Sequence, residues 1–137
     1  MKKRFFAALA ASVMLCGVLT APAAAETKYK KGDVNMDGEV SVEDVMLALT
    51  DYTDYLLAYK PHVLTEEQIE LADVNGKSGS ERRGRESKVT VEDAHAILAY
   101  YTACVADAKL KDTDIVTWLR STHPAWLEPK EADETVN

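Results

Sequence analysis

Two stretches of this chain carry oxygen-bearing side chains at alternate positions. The first runs Asp33-Val34-Asn35-Met36-Asp37-Gly38-Glu39-Val40-Ser41-Val42-Glu43-Asp44. The second opens Asp73-Val74-Asn75 and closes Lys88-Val89-Thr90-Val91-Glu92-Asp93. Both open Asp-Val-Asn and close Val-(Ser/Thr)-Val-Glu-Asp, so the pair reads as an internal repeat. A hard divalent cation such as calcium takes about six to eight oxygens at roughly 2.3–2.6 Å, which a chain supplies by curling round the ion. In the first stretch Asp33, Asn35 and Asp37 fall at positions 1, 3 and 5 of a twelve-residue loop, and Gly38 at position 6 permits the sharp turn. Glu39 is expected to give its backbone carbonyl at position 7. Ser41 would act at position 9, directly or through a water, and Asp44 would close the site at position 12 with both oxygens. Val40 at position 8 points away, toward the twin loop. An acidic turn capping a helix is the simpler alternative, and the concordance of seven positions weighs against it.

The second stretch departs from that pattern. Asp73 to Asp93 spans 21 residues, nine more than the first loop. The excess lies within residues 76–87, which are rich in Gly, Ser and Arg and read as a solvated surface loop. Each doubling of loop length costs only about 0.6 kcal/mol of closure entropy, so both halves of a site can survive an insertion. Counting back from Asp93, position 5 falls on Glu86; counting forward from Asp73, it falls on Lys77, which cannot ligate. The expected ligands are Asp73, Asn75, Thr90 and Asp93, with the Lys88 carbonyl and with Glu86 as the remaining carboxylate. Two calcium ions are therefore expected, a degenerate second loop being the alternative.

Each loop must be held by the helix behind it. After Asp44, the residues Val45, Leu49, Tyr52 and Leu56 recur at helical spacing, and Lys60-Pro61 ends the run. After Asp93, Ala94, Ile97, Tyr101 and Val105 do the same, and both stripes predict core. Between them Thr65-Glu66-Glu67-Gln68-Ile69-Glu70-Leu71-Ala72 predicts a short connecting helix capped by Thr65. Residues 26–32 are polar and lysine-rich, so no helix enters the first loop. Beyond the repeats, residues 113–120 predict one more short helix with Thr113 as cap, followed by His123-Pro124-Ala125-Trp126 and an acidic end. Trp118 and Trp126 either pack back over the loops and clasp the two ends, or belong to a terminal appendage. A sugar-stacking pair is a third reading.

Composition agrees with a small exported protein. Lys2, Lys3 and Arg4 precede an apolar run from Phe5 to Thr20, and Ala21-Pro22-Ala23-Ala24-Ala25 comes next. This is the order of a secretory signal peptide, and a run of 16 residues is short for a membrane span. Residues 1–25 are expected to be removed, leaving a secreted protein with no membrane attachment. Cleavage takes three of the 16 basic residues and none of the 23 acidic ones, so the formal charge moves from -7 to -10. Such a chain has no general attraction for nucleic acid. Cys104 is then the one cysteine left, which rules out an intramolecular disulfide and makes metal the expected staple of a small domain. No catalytic constellation is legible: His62, His95 and His123 lie in separate segments, and a carboxylate pair for glycoside hydrolysis needs a cleft. A non-enzymatic role is expected.

A loop–helix pair lacking its entering helix, duplicated round a linker helix, resembles the type I dockerin family. The resemblance runs from about Gly32 to Ala106 and is carried by Gly32-Asp33-Val34-Asn35-Met36-Asp37-Gly38, the two Val-Glu-Asp endings, and Tyr100 and Tyr101 in the second helix. The insertion and the missing second-loop glycine depart from the family pattern. The implied fold is all-α, a small calcium-stapled, duplicated loop–helix (F-hand, EF-hand-like) dockerin module. It would comprise a short lead (26–31), repeat 1 (33–60), a linker helix (61–72) and repeat 2 (73–106), then a C-terminal helix and acidic tail (107–137). The implied function is calcium-dependent binding to a cohesin domain of a scaffoldin, within a cellulosome for polysaccharide degradation. The stretched second loop is similar to those of rumen-type bacterial cellulosomes. The family's contacts fall at loop positions 10 and 11 and on the outward face of the helix after the loop. Here those are Val42, Glu43, Met46, Leu47 and Thr50, and Val91, Glu92, His95, Ala96 and Ala99. The first set is bulkier and more apolar, which favours it as the main contact surface, while the repeated Val-Glu pair leaves a two-way docking mode open. A monomer before docking is implied. The alternative is a secreted EF-hand-like calcium-binding protein whose partner is not a cohesin.

Overall fold

A computed structural model describes residues 29–77 and 79–128. The expected leader (1–25), the first half of the short lead and the acidic end from residue 129 lie outside the described residues.

The helices start where the sequence supplies caps. Helix α1 (Val42–Tyr52) begins at extended Ser41, whose hydroxyl accepts the Glu43 N–H at 3.1 Å while its own N–H donates to Asp44 at 2.7 Å. Helix α2 (Glu66–Ala72) begins with Thr65 and Gln68 bonded reciprocally, at 3.3 and 3.1 Å. It starts at the cap that the sequence names, Thr65, and residues 61–64 of the linker segment precede it as the chain turns back from α1. Helix α3 (Val91–Ala106) repeats the device with Thr90 and Asp93. Helix α4 (Ile115–Thr122) starts one residue later than a Thr113 cap would place it. Asp114, not Thr113, accepts the Thr117 N–H at 2.9 Å and is the cap.

Two features lie outside the sequence expectation. The first is the end of α1, which widens into a π turn over Thr53–Leu57 and leaves through Tyr59 at φ 57°. The second is the insertion, which is not a plain loop. It forms an antiparallel hairpin of β1 (Ser80–Arg82) and β2 (Arg85–Ser87), with Glu81 opposite Glu86. Arg83 and Gly84, both at positive φ, make the two-residue primed turn that matches strand twist. At the hairpin base a Cβ on Gly79 would lie 1.7 Å from the Ser87 carbonyl oxygen, so only glycine fits. The body is mostly helical as expected, and this small sheet corrects the all-α expectation.

Arg85 ties the hairpin to the loosened end of α1. Its Nη1 donates to the carbonyls of Tyr55 (3.0 Å) and Lys60 (2.8 Å), and its guanidinium sits 5.0 Å from the Tyr55 ring centroid. The Tyr55 ring in turn stacks on His62 at 3.6 Å. Buried Asp51 holds the same corner by accepting the N–H groups of Val63 (2.7 Å) and Leu64 (3.0 Å) and pairing with His62 Nδ1 (2.8 Å).

One core joins the repeats and the C-terminal segment. Val34, Val45 and Ala48 meet Val74, Ala94 and Ile97, and α4 adds Ile115, Trp118 and Leu119. The segment after residue 107 is therefore built into the module up to residue 128. The α3 stripe is rotated from its expected phase: Tyr100 and Cys104 face inward, Tyr101 is half-buried, and Val105 is 68% exposed. Two anchors set that rotation. Asp93 reaches back into its loop, and the Tyr100 hydroxyl donates to the Thr113 carbonyl at 2.6 Å. In α1 the innermost positions are Asp44, Ala48 and Asp51, with Leu49 and Tyr52 half-buried.

Candidate metal loops and helix faces

The first loop is folded inward on its own carboxylates. Asp44, fully buried, accepts the Val34 and Asn35 N–H groups on Oδ1 (2.7 and 2.9 Å) and the Ser41 N–H on Oδ2 (2.7 Å). Asp33, also buried, accepts the Asp37 N–H at 3.1 Å and the Gly38 N–H at 3.0 Å. Asn35 Oδ1 takes the Asp37 N–H at 2.9 Å, and Asp37 Oδ1 takes the Glu39 N–H at 2.9 Å. Gly38 supplies the turn at φ 98°, a region that costs a side chain roughly 1 kcal/mol or more. Glu39 and Asp37 are exposed, and Ser41 doubles as candidate ligand and helix cap.

Charge crowding is visible in this loop. Burial raises the Asp33 carboxyl pKa first of all, and the negative charges of Asp44 and Asp37 raise it further, against donation from the Gly38 and Asp37 amides. Asp37, at the surface, is held below the usual carboxylate range by the Glu39 N–H and the Asn35 amide.

The second loop closes in the same way. Asp93, fully buried, accepts the Val74 and Asn75 N–H groups on Oδ1, both at 3.1 Å, and the Thr90 N–H and hydroxyl on Oδ2, both at 2.8 Å. The three backbone bonds repeat those of Asp44, with Thr90 in place of Ser41, and the Thr90 hydroxyl adds a bond that Ser41 does not make. Asp73 Oδ1 accepts the Gly76 N–H at 3.0 Å, and Asn75 Oδ1 accepts the Lys77 N–H at 2.7 Å. Burial raises the carboxyl pKa of both Asp73 and Asp93.

Glu86 is not brought to this group. Strand alternation on β2 turns Ser87 inward, where its hydroxyl donates to the Val89 carbonyl at 2.8 Å, and sends Glu86 outward. Glu86 instead borders a cleft with His62, Glu66, Glu67, Ile69, Glu70 and Lys88. The Lys88 ammonium bonds Glu70, which lowers the Glu70 pKa and raises that of Lys88. The second loop therefore assembles Asp73, Asn75, Thr90 and Asp93, and the Asn75 amide nitrogen is buried without a partner among the described residues.

Among the described residues, no three Asp, Glu, His or Cys side chains are gathered as a group that could hold a metal ion. The carboxylate oxygens are turned to the loops' own N–H groups. The donor sets nevertheless differ in kind. The first loop offers Asp33, Asp37 and Asp44 with an amide oxygen, a hydroxyl and the Glu39 carbonyl, an all-oxygen set that fits a hard cation. The second offers two carboxylates with an amide oxygen, a hydroxyl and the Lys88 carbonyl.

The two helix faces also differ. On α1, Val42 is 45% and Met46 59% exposed, Glu43 and Thr50 are exposed, and Leu47 is half-buried against the core. On α3, Val91 is exposed and Glu92 lies 3.8 Å from the Lys77 ammonium. Ala96 is a correction: it is fully buried, and Ala99 is half-buried against the core. His95 packs on Trp126, with ring centroids 4.8 Å apart. The burial of Trp118 removes it from any sugar-stacking pair.

Sequence reasoning missed Asp51 and Arg85. Asp51 was within reach of pattern, since Asp44, Ala48 and Asp51 share one helical stripe. Arg85 carried no such signal, because its partners are backbone carbonyls about 25 to 30 residues away. Neither a protein-family model, a curated protein nor a solved structure matches this chain.

Proposed function

We propose that the chain is a non-catalytic, calcium-dependent interaction module of dockerin type, exported by its leader and docking on a cohesin domain of a scaffoldin in a rumen-type bacterial cellulosome. The observation that carries this reading is the repeated loop closure by Asp44 and Asp93. Each is at once the last residue of a loop and the third residue of a helix. A carboxylate in that position couples the order of the loop to the placement of the helix behind it.

In the first loop Asp33, Asn35, Asp37, Ser41, Asp44 and the Glu39 carbonyl would hold the ion. In the second, Asp73, Asn75, Thr90, Asp93 and the Lys88 carbonyl would do so. Bound calcium would neutralise the crowded carboxylates and supply the staple that a disulfide supplies elsewhere. Without it, Asp33 sits buried beside Asp37 and Asp44, and the core is too small to carry that repulsion easily. Val42, Glu43 and Met46 lie in the first turns of α1, so loop order sets the shape of the face they present. Exposed apolar residues beside a charge suit an interface anchor.

Excess EGTA is expected to remove both the helical circular dichroism signal and retention on cohesin resin. An unchanged helical spectrum in EGTA overturns the calcium-stapled reading. Retention on no member of a cohesin panel in calcium, with calcium binding intact, replaces the reading by a secreted calcium-binding protein with another partner.

A further inference from the structure

We infer that the hairpin is a strut between two distant sites: it holds the far end of α1 in its widened form, and through it the closure of the second loop and that helix end are coupled. The inference goes beyond the docking reading and stands without it, since both ends of the strut are made of this chain's own residues.

One end of the strut is the second loop itself. Strand β1 starts three residues after Lys77, whose N–H is held by Asn75. Strand β2 ends three residues before Thr90, whose N–H is held by Asp93. The Ser87 hydroxyl bonds the Val89 carbonyl, and Val89 is fully buried, so this junction is fixed to the core.

The other end grips the last turn of α1. There the Ala58 N–H donates to the Thr53 carbonyl and the Lys60 N–H to the Asp54 carbonyl, both at 2.9 Å. Arg85 takes the Tyr55 and Lys60 carbonyls, 3.0 and 2.8 Å away, and so clamps that turn from outside. Tyr59 stands at φ 57°, a backbone region unfavourable to a residue with a side chain. Its hydroxyl is buried with no partner among the described residues. Such a conformation persists only where its surroundings over-determine it. Here the hairpin supplies them: the guanidinium groups of Arg83 and Arg85 lie 5.5 and 5.6 Å from the Tyr59 ring centroid. Loosening the loop therefore loosens the clamp, and the coupling must be equal in both directions. Asp44 closes the first loop with no hairpin between its ends, so that closure lies off this path.

The test is amide hydrogen exchange on the full chain in calcium, which reads local opening residue by residue. Arg85→Gln removes the planar fork and keeps a polar side chain. It is expected to speed exchange of the Ala58 and Lys60 N–H groups about tenfold, and of the Asn75 and Thr90 N–H groups several-fold. The Asn35 and Ser41 N–H groups of the first loop should stay within about twofold of the parent. In the other direction, Thr90→Val removes one hydroxyl bond to Asp93 and should speed Ala58 and Lys60 several-fold. Unchanged Asn75 and Thr90 rates in Arg85→Gln overturn the inference, and so do unchanged Ala58 and Lys60 rates in Thr90→Val. Equal acceleration of both loops overturns it too, because that marks a general loss of stability and not a path. If Arg85→Gln loses the helical spectrum, Arg85→Lys, which keeps the charge without the fork, is read by the same limits.

Discussion

The two loops differ by nine residues in length and by a hairpin in structure, yet they end in the same set of hydrogen bonds. In each, one buried aspartate collects the N–H groups of the second and third loop residues and the N–H of the helix cap. The middle of the loop is what changes. In the first, Asp37 and Gly38 keep the turn short and acidic. In the second, the middle leaves the loop altogether, and its strands bring Arg85 to the end of α1. Closure is thus a local task performed by two ends of a loop, and the span between them is free for other contacts.

The comparison breaks most visibly at the closing residues. Asp44→Ala and Asp93→Ala each strand three backbone N–H groups, two of them on the opposite end of the loop. At about 1 kcal/mol or more for each buried unsatisfied donor, each variant is expected to lose roughly 3 kcal/mol in urea unfolding monitored by circular dichroism. Similar losses at the two sites are the expected outcome; a loss at Asp44 alone would mean that the second closure is ornamental.

The loop middles sharpen the contrast at a smaller scale. Asp37→Ala is expected to weaken calcium binding about tenfold, which is about 1.4 kcal/mol, whereas Glu86→Ala should leave it nearly unchanged because Glu86 faces the α2 side of the hairpin. Titration calorimetry giving the reverse order would restore Glu86 to the second loop.

The smallest effect is the dependence on pH in the calcium-free chain. Asp73 and Asp93 have carboxyl pKa values raised by burial, so the folded state binds their protons more readily than the unfolded state does. Their charged forms destabilise the fold at neutral pH, and that penalty is relieved as pH falls through the folded values. Asp37 runs the other way: its pKa is lowered, so its contribution is present above the unfolded value and lost as pH falls through the folded one. Carboxyl-carbon NMR titration should place Asp73 and Asp93 above the usual aspartate midpoint and Asp37 below it. Equal midpoints for all three would remove this difference between the buried and the surface carboxylates of the loops.

Much of the site was legible because it is local. Asp33, Asn35, Asp37 and Asp44 stand within twelve residues, and alternation alone groups them in one loop. Thr65 as a cap follows from its neighbours, and the duplicated endings point to equivalent closures. What was not legible depended on partners far along the chain. The insertion read as a solvated loop because Gly, Ser and Arg favour exposure, and nothing local shows that Arg85 will find two free carbonyls at a loosened helix end. The phase of α3 was misjudged by one residue after Ile97, because apolar Tyr101 and Val105 satisfy the same spacing that Tyr100 and Cys104 do.

By itself, the sequence determined the repeat, the oxygen donors and their order, and the capped starts of α1, α2 and α3, since each depends on residues a few positions apart. Tertiary structure decided which of two equally spaced stripes faces the core, where Glu86 points, and that Trp126 packs beside His95, which stays exposed as Met46 does. Those outcomes depend on which surfaces meet once the chain has turned back on itself, and on buried donors and acceptors that must find partners wherever the fold brings them.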